Sequence, residues 1–446
     1  MERSRWLRTT SIAALTLTAS IVPALARPCH LPSAVGRLRL GRSARPGPAP
    51  GPLTTLSEAT RIAAYAIFFA SYVVFALGKF PGMKIDRPGA AIIGAVAMVA
   101  TGAIVPQQAL HDVDFPTIVL LFSMMLLVAY LHLAGFFEWF TDFAAGRLHP
   151  QHLLPTVIFT TGVLSAFFVN DIICLVMVPF ALNVSRRMGV RPLPYLLAVA
   201  TASNLGSVAT ITGNPQNMLI GSLSGIPYLR FLLYLGPVAI AGLLLNWLLL
   251  WWMFFRRGLQ RDEVTLRAAP RAVDRSALLK PGLVMLGVLV AFLAGVPPAL
   301  AAAVGAAVML VSRTREPRKV YEEVDWGLLV FFIGLFIIVG GAEKAGLTEE
   351  FLGLGSALNL HHPAAFTVAT AAFSNLVSNV PAVMLLKSLV PGFANPETGW
   401  LLLAMASTLA GNLTITGSVA NIIVVERARS EVPVSFLDYF RVGLPL

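Results

Sequence analysis

Two similar helix-breaking phrases occur in this very apolar chain, and both could hold ions. The first is ITGNPQN at residues 211–217, and the second is ITGSVAN at residues 415–421. Gly213 loosens the first phrase, and Pro215 removes an amide donor and clashes with the preceding helical turn. A break of this kind frees carbonyl groups on one half-helix and amide groups on the next. Because carbonyl groups hold cations and amide groups hold anions, each phrase is a candidate ion-binding segment.

Polar side chains gather at these breaks and at two other interruptions of apolar sequence. The other interruptions are FFVNDIIC, which contains Asn170 and Asp171, and FSNLVSNVPAV, which contains Ser378 and Asn379. Asp171 is a carboxylate in the middle of a clearly apolar run, and an intramembrane acid is by default a candidate proton or Na⁺ site. We predict a bound Na⁺ at Asn170, Asp171 and Asn379. The full set of predicted substrate- or ion-binding residues is Asn170, Asp171, Thr212, Gly213, Asn214, Asn217, Ser378, Asn379, Thr416, Gly417, Ser418 and Asn421.

The composition indicates a helical membrane protein. Of 446 residues, 57% are hydrophobic and only 12% are charged, and the mean hydropathy is +0.76; soluble globular chains are far less apolar. Several apolar runs reach the roughly 20 residues that a helix needs to cross a bilayer, and the alternating polarity of a transmembrane barrel is missing. We therefore predict an all-α polytopic protein of the inner (plasma) membrane, surrounded by the lipid bilayer.

The net charge of +11 indicates a membrane topology rather than a nucleic-acid partner. Most basic residues lie in loops on one predicted side of the apolar runs, as the positive-inside rule requires. Two cysteines give neither a disulfide framework nor a metal-ligand spacing. The sequence has no nucleotide-binding loop, nucleophile elbow or HExxH stretch. We therefore predict no enzymatic activity, and no cofactor apart from a bound Na⁺.

An internal repeat relates the two halves of the chain. RPGAAIIGAVAM at 87–98 aligns with PALAAAVGAAVM at 298–309, and residues 203–220 align with residues 407–424. Each half has spanning helices, then a segment broken at a hairpin tip, then a segment broken at the ITG phrase. If the first broken segment is a re-entrant hairpin, the two halves have inverted topology. Two inverted repeats with re-entrant hairpins and broken helices are an architecture of secondary transporters.

The predicted organisation has five parts. Residues 1–26 are typical of a signal peptide or a short anchor, and residues 27–52 form a disordered linker rich in Pro, Gly and Arg. Residues 53–256 form the first inverted repeat, residues 257–280 a charged cytoplasmic linker, and residues 281–446 the second repeat. We expect the second repeat to lack its last helix, because the first repeat continues further beyond its ITG phrase.

Less specific interpretations of the same residues remain open. Asn, Ser and Thr in membrane helices often join neighbouring helices by hydrogen bonds, and Pro–Gly breaks are often simple kinks. Asp171 could instead be the structural partner of a helix terminus. Four breaks that are paired by an internal repeat favour a binding site over these alternatives.

Five stretches carry a family resemblance: DRPGAA (86–91), FFVNDIICLVMVPF (167–180), ASNLGSVATITGNPQN (202–217), SNLVSNVPAVMLL (374–386) and AGNLTITGSVAN (410–421). At these residues the chain resembles the ion transporter superfamily, which contains arsenite permeases, citrate-transporter-like proteins, divalent-anion/sodium symporters and one group of Na⁺/H⁺ antiporters. The resemblance implies two hairpins and two unwound helices around a midplane site, in a homodimer that works by an elevator motion. The Asn170–Asp171 and Asn379–Val380 tips look more like the arsenite-permease and antiporter branches than the Ser-Asn-Thr tips of the symporters.

The predicted function is secondary active transport of a small inorganic or organic anion, coupled to H⁺ or Na⁺ by alternating access. A first alternative is a Na⁺/H⁺ antiporter, in which Asp171 would bind the exchanged cation. Two alternatives belong to other classes. A passive channel could contain the same breaks, and an intramembrane enzyme would need a nucleophile–base pair or metal ligands at membrane depth.

Overall fold

The described part of the chain is helical. In a computed structural model, the described residues are 56–78, 84–137, 139, 150–256, 275–311 and 316–446. They form nineteen α-helices joined by turns and short 3-10 or π segments, with no β-strand among them, so the prediction of an all-α fold is confirmed. The segments predicted at 1–26 and 27–52, and most of the linker predicted at 257–280, lie outside the described residues.

The first half of the described chain contains nine helices. They are α1 (Glu58–Leu77), α2 (Arg87–Ala100), α3 (Pro106–His111), α4 (Phe115–Ala134), α5 (Leu153–Phe167), α6 (Asn170–Arg187), α7 (Leu193–Ser207), α8 (Pro215–Ser224) and α9 (Tyr228–Leu250). Helices α1, α2 and α4 begin at side-chain caps, because Ser57, Asp86 and Asp114 each accept a hydrogen bond from an amide of the first turn. Gly78 and Gly135 end α1 and α4 in the left-handed conformation that glycine tolerates.

The second half of the described chain contains ten helices. They are α10 (Arg275–Leu293), α11 (Pro298–Leu310), α12 (Pro317–Glu322), α13 (Trp326–Lys344), α14 (Leu347–Ala357), α15 (Pro363–Val377), α16 (Asn379–Leu386), α17 (Pro396–Ala410), α18 (Val419–Ala428) and α19 (Phe436–Gly443). Asp325 caps α13 by accepting from the Leu328 amide at 2.9 Å, as Asp114 caps α4 from the Thr117 amide at 3.2 Å. Two aligned aspartates of the repeat therefore start two aligned helices.

Several helices are long and apolar enough to cross a bilayer. Among the described residues these are Glu58–Leu77, Phe115–Ala134, Tyr228–Phe255 and Trp326–Lys344, and five shorter apolar helices accompany them. Large apolar side chains are exposed along α1, α2, α9 and α10; examples are Phe69, Val96, Leu233 and Leu283. Such a surface is stable in contact with lipid tails and would be an aggregation hazard in water.

Helices of one half pack against helices of the other half in reciprocal pairs. Helix α2 packs on α13 and α11 packs on α4, while α7 contacts α18 and α17 contacts α8. The close approach of α2 to α13 needs Gly94, where an added Cβ would lie 2.6 Å from Ile338 Cδ1. At the aligned Gly305, an added Cβ would lie 3.4 Å from Leu127 of α4. This exchange of partners is the packing expected of two related repeats; the inverted orientation of the halves stays a prediction.

Candidate substrate and ion site

Two helical hairpins carry the predicted tips. In the first, α5 and α6 are joined by Phe168 and Val169, so that Asn170 is the first residue of α6. In the second, α15 and α16 are joined at Ser378, so that Asn379 is the first residue of α16. Each tip therefore places an asparagine at a helix N-terminus, where unpaired amides and the helix dipole favour negative charge.

Both predicted helix breaks are present. Helix α7 ends at Ser207 and α8 starts at Pro215, while α17 ends at Ala410 and α18 starts at Val419 after a 3-10 turn over Ile415–Gly417. At Gly213 the chain passes so close to the end of α7 that an added Cβ would lie 2.2 Å from the Ser207 carbonyl oxygen. No other residue type fits there without movement of the backbone.

In each break, one asparagine side chain donates hydrogen bonds to the backbone carbonyls that the break leaves free. In the first break, Asn217 Nδ2 donates to the carbonyls of Ser207 at 3.1 Å and Thr210 at 3.0 Å. In the second break, Asn421 Nδ2 donates to the carbonyls of Gly411 at 2.6 Å and Thr414 at 3.0 Å. Both asparagines are fully buried. The carbonyls that unwinding removes from the helix are thus satisfied by an amide, as a water-free environment requires.

The two breaks are joined through one polar residue of each half. Asn204 of α7 donates to Asn412 Oδ1 at 3.0 Å and Asn421 Oδ1 at 2.9 Å, both in the second break. Thr408 occupies the matching position in α17 and accepts from Asn214 and Gln216 of the first break, both at 3.2 Å. Each long helix therefore contributes a polar group to the break of the opposite half.

The hairpin tips complete this network. The backbone N–H of Asn170 donates to the Gly213 carbonyl at 2.9 Å, and the side-chain Nδ2 of Asn170 donates to Asn204 Oδ1 at 3.2 Å. The Asn379 side chain, in the orientation its neighbours require, donates to the carbonyls of Gly417 and Ser407 and accepts from Gln216 Nε2 at 3.2 Å. Hydrogen bonds thus connect the starts of α6, α8, α16 and α18. They form one buried cluster of neutral polar groups.

Comparison with known proteins identifies the family of this chain. Residues 72–410 match the model of the citrate transporter family, CitMHS. The chain belongs to this family. It is also 30% identical to the silicon efflux transporter of Oryza sativa subsp. japonica, over 84% of this chain and 93% of the relative. The putative transporter arsB of Dictyostelium discoideum is 24% identical, over 81% of this chain and 85% of the relative.

Two further likenesses are to transporters. An uncharacterized transporter of Mycobacterium tuberculosis (strain CDC 1551 / Oshkosh) is 29% identical, over 86% of this chain and 94% of its own length. The crystal structure of the YdaH transporter of Alcanivorax borkumensis has the same fold, with a TM-score of 0.50 at 14% identity, over 87% of this chain and 94% of that chain. The predictions of a multi-pass membrane transporter and of a protein that is not an enzyme are therefore confirmed.

Most of the predicted site residues of this citrate-transporter-family chain meet in the buried cluster. They are Asn170, Thr212, Gly213, Asn214, Asn217, Asn379, Gly417, Ser418 and Asn421. Thr212 is bonded to the Tyr228 hydroxyl at 2.8 Å and to the Thr210 hydroxyl of the same break at 3.3 Å. Thr416 is exposed, and its described contact is with Thr414 at 3.4 Å.

Asp171 lies beside the cluster and outside its hydrogen-bond network. Its side chain is half-buried, and within the described residues its carboxylate makes no hydrogen bond and no ion pair. The described residues also contain no group of three His, Cys, Asp or Glu side chains that could hold a metal ion.

The two residues that link the breaks were not predicted from the sequence. Asn204 and Thr408 stand in α7 and α17 ahead of each break, and both are at most 1% exposed. They occupy matching positions in the aligned stretches 203–220 and 407–424. A polar residue at the same position of both repeats was the available signal.

Ser378 has a backbone conformation that serine rarely adopts, with φ 77° and ψ 159°. This region is almost restricted to glycine and costs other residues roughly 1–3 kcal/mol. We expect Ser378→Gly to raise the free energy of unfolding by about 1 kcal/mol, after the extra chain entropy of glycine is subtracted. The thermal midpoint of the detergent-purified protein measures this effect. Ser378→Ala removes the hydroxyl and keeps the strain, so it should show no gain; an equal gain in both variants would contradict a backbone cause.

Proposed function

We propose that this chain is a secondary active transporter that moves a small inorganic or organic anion across the inner (plasma) membrane, coupled to H⁺ or Na⁺ by alternating access. The observation that carries the proposal is the buried neutral cluster joining four helix starts across the two halves. Helix N-termini attract anions, while the facing carbonyls and amide oxygens suit a cation. The cluster therefore offers places for both a substrate and a coupling ion.

The relatives indicate which anions to test. The family model is named for citrate, one relative for silicon efflux and another for arsB. The side chains named in the cluster are Asn, Gln, Ser and Thr, so the cluster itself supplies no Lys or Arg to neutralise a bound anion. A charged substrate would need compensation by helix dipoles and by a cation bound with it, because an isolated buried charge is very costly. Coupled entry of anion and cation follows from this requirement.

The second candidate is a Na⁺/H⁺ antiporter. Asp171 favours it, because a half-buried carboxylate without a described ion-pair partner beside Asn170 can bind either Na⁺ or a proton. In that case the substrate would be the cation itself. A homodimer is also part of the proposal, on the resemblance to the superfamily alone.

Transport by the purified full chain in proteoliposomes tests the proposal. An inward or outward gradient of H⁺ or of Na⁺ is imposed, and citrate, arsenite, silicic acid, sulfate and Na⁺ are offered in turn. Gradient-driven accumulation of one of the anions is the expected result. Flux that only dissipates the substrate gradient would indicate a channel, and Na⁺ flux with proton counterflow and no anion flux would indicate the antiporter.

Transport by the Asp171→Asn variant tests whether the coupling ion binds at the first hairpin tip. We expect gradient-driven flux to fall about tenfold or more, because the substitution removes an intramembrane carboxylate at the hairpin tip. The exposed Glu349 of α14 provides the control variant Glu349→Gln, which should transport like the wild type. If Asp171→Asn also transports like the wild type, the carboxylate is structural and the coupling ion binds elsewhere in the cluster.

A further inference from the structure

One set of helices carries the buried cluster, and a second set flanks it. The cluster residues lie on the hairpins and broken helices, α5–α8 and α15–α18, which we call the cluster helices. We call α1–α4 and α10–α14 the frame helices. The most extensive helix contacts, α5 on α7, α13 on α2, α11 on α4 and α15 on α17, lie within one set or the other. The contacts across the boundary, α8 on α4, α15 on α1 and α16 on α13, are less extensive. Because alternating access must open the cluster to one side at a time, we expect movement at this boundary.

Polar contacts cross this boundary at the second arm of the second hairpin. The Tyr72 hydroxyl of α1 donates to the Pro381 carbonyl of α16 at 3.1 Å. Lys387 directly follows α16, and its Nζ lies 3.1 Å from Glu343 Oε1 of α13. The Glu343 side chain is 35% exposed and the Lys387 side chain 23% exposed. An ion pair with this access to water can break and re-form, because water solvates each charge when its partner leaves.

The next residue of α13 makes a second ion pair of the same length. Lys344 Nζ lies 3.1 Å from Asp112 Oδ2, and the two side chains are 27% and 24% exposed. This pair lies within the frame helices, because Lys344 ends α13 and Asp112 follows α3. The packing around it is tight, since an added Cβ at Gly340 would lie 2.4 Å from Asp112 Oδ2. Adjacent positions of one helix therefore carry one ion pair that crosses the boundary and one that does not.

The boundary is loosely packed beside the Glu343–Lys387 pair. A cleft of about 220 Å³ lies between α13 and α14 on one side and α16 and the turn after it on the other. Glu343, Phe351, Met384 and Ser388 are among its lining residues. Parts of a protein that move as one body are close-packed. A gap at this place is therefore consistent with two bodies that separate.

We infer that the Glu343–Lys387 ion pair is a latch: it holds the second hairpin on α13 in this conformation and opens in each transport cycle. The adjacent Lys344–Asp112 pair stays closed throughout. The inference rests on the proposed function, since alternating access supplies the movement that opens the latch. It goes further by naming the contact that breaks and the neighbouring contact that does not.

Covalent bridging of the two pairs tests the latch. The two native cysteines are replaced by serine, and a cysteine pair is introduced at Glu343 and Lys387 or, as the matched control, at Asp112 and Lys344. A bifunctional methanethiosulfonate reagent bridges each pair in proteoliposomes, and gradient-driven uptake is measured before bridging, after bridging and after reduction. Bridging Glu343→Cys to Lys387→Cys should lower uptake about tenfold or more, because a bridged latch cannot open, and reduction should restore it. Bridging Asp112→Cys to Lys344→Cys should change uptake by less than about twofold.

Two outcomes of the bridging experiment would overturn the latch. One is uptake that persists after mass spectrometry has shown complete bridging of the Glu343–Lys387 position. The other is an equal loss of uptake for both bridged pairs, which would mean that a bridge at this end of α13 inhibits wherever it is placed. In either case the proposed function stands, because the unbridged protein accumulates substrate on the gradient.

A distance measurement tests the latch without transport. Spin labels at the exposed residues Glu349 of α14 and Val368 of α15 report the separation of the frame helices from the second hairpin. Glu343→Gln should raise the population of distances other than the main wild-type distance about threefold or more, because it removes one charge of the pair. Lys344→Gln should leave the distance distribution unchanged. If Glu343→Gln also leaves it unchanged, the latch is wrong; if the wild type accumulates no substrate, the proposed function fails and this measurement still decides the latch.

Discussion

Gly206→Ala is expected to destabilise the first hairpin by about 3 kcal/mol or more. An added Cβ at Gly206 would lie 2.1 Å from the carbonyl oxygen and 2.5 Å from the Cα of Gly162. Both atoms belong to the backbone of α5, so no side-chain rotation relieves the clash, and α5 and α7 must separate. Gly206 also directly precedes Ser207, whose carbonyl is held by Asn217. A shift of α7 therefore spreads into the break, and transport should be lost together with stability.

The thermal midpoint of the detergent-purified protein and its uptake in proteoliposomes measure the two effects. Gly287→Ala is the matched control, because no atom lies within 4 Å of its added Cβ and its backbone dihedral is not in the left-handed region. Alanine there should be neutral or stabilise α10 by about 0.5–1 kcal/mol. If Gly206→Ala melted like the wild type, α5 and α7 would have to lie further apart than these distances show.

The helix breaks could be predicted because they depend on local chemistry. Proline at 215 is unfavourable in a helix interior and glycines at 213 and 417 weaken a helix, and the structure interrupts the helices at these positions. The hairpin tips were predicted for a related reason, since Asn170 and Asn379 interrupt long apolar runs. Local signals of this kind do not depend on which helices become neighbours.

The hydrogen bonds between the two breaks could not be predicted from the sequence of either helix alone. Asn204 lies inside α7 without any helix-breaking residue beside it, and its partners Asn412 and Asn421 come from the other half of the chain. Periodicity carries no information here, because α7 is buried on every side and has no polar face. The internal repeat was the one long-range signal, and it relates matching positions rather than contacting ones. Asn204 contacts the break of the opposite repeat, which alignment of the halves alone does not indicate.

The prediction for Asp171 shows the same limit. The sequence identifies a carboxylate at membrane depth, and the structure places it next to the buried cluster without a described partner. A charged residue stands out in apolar sequence, whereas the neutral amides that form the network resemble ordinary helix contacts. The most conspicuous single residue in the sequence, Asp171, is therefore not one of those that form the hydrogen-bond network.

Asn217→Asp is expected to abolish transport and to destabilise the protein at least as strongly as Asn217→Ala. The wild-type amide donates to the Ser207 and Thr210 carbonyls and is fully buried. Alanine removes the shorter donor from each carbonyl and leaves only Asn214 Nδ2 at 3.5 Å from Ser207 and the Gly213 amide at 3.4 Å from Thr210. A buried group that is left poorly satisfied costs roughly 1–3 kcal/mol. Aspartate has the same shape but places an oxygen against two carbonyl oxygens, so it adds repulsion or forces protonation of a buried carboxyl.

The order of the two variants is the informative result, because a site that needs only the volume of Asn217 would tolerate aspartate better than alanine. Stability is measured by thermal unfolding, and substrate binding by ligand-induced stabilisation of the same samples. Asn246→Ala serves as the matched control: it removes an equally buried amide bonded to Thr201, and should lower stability without loss of transport. An Asn217→Asp protein that transports like the wild type would mean that something other than this side chain holds the first break open. The same conclusion would then apply to Asn421, because its amide donates to the Gly411 and Thr414 carbonyls by the same pair of contacts.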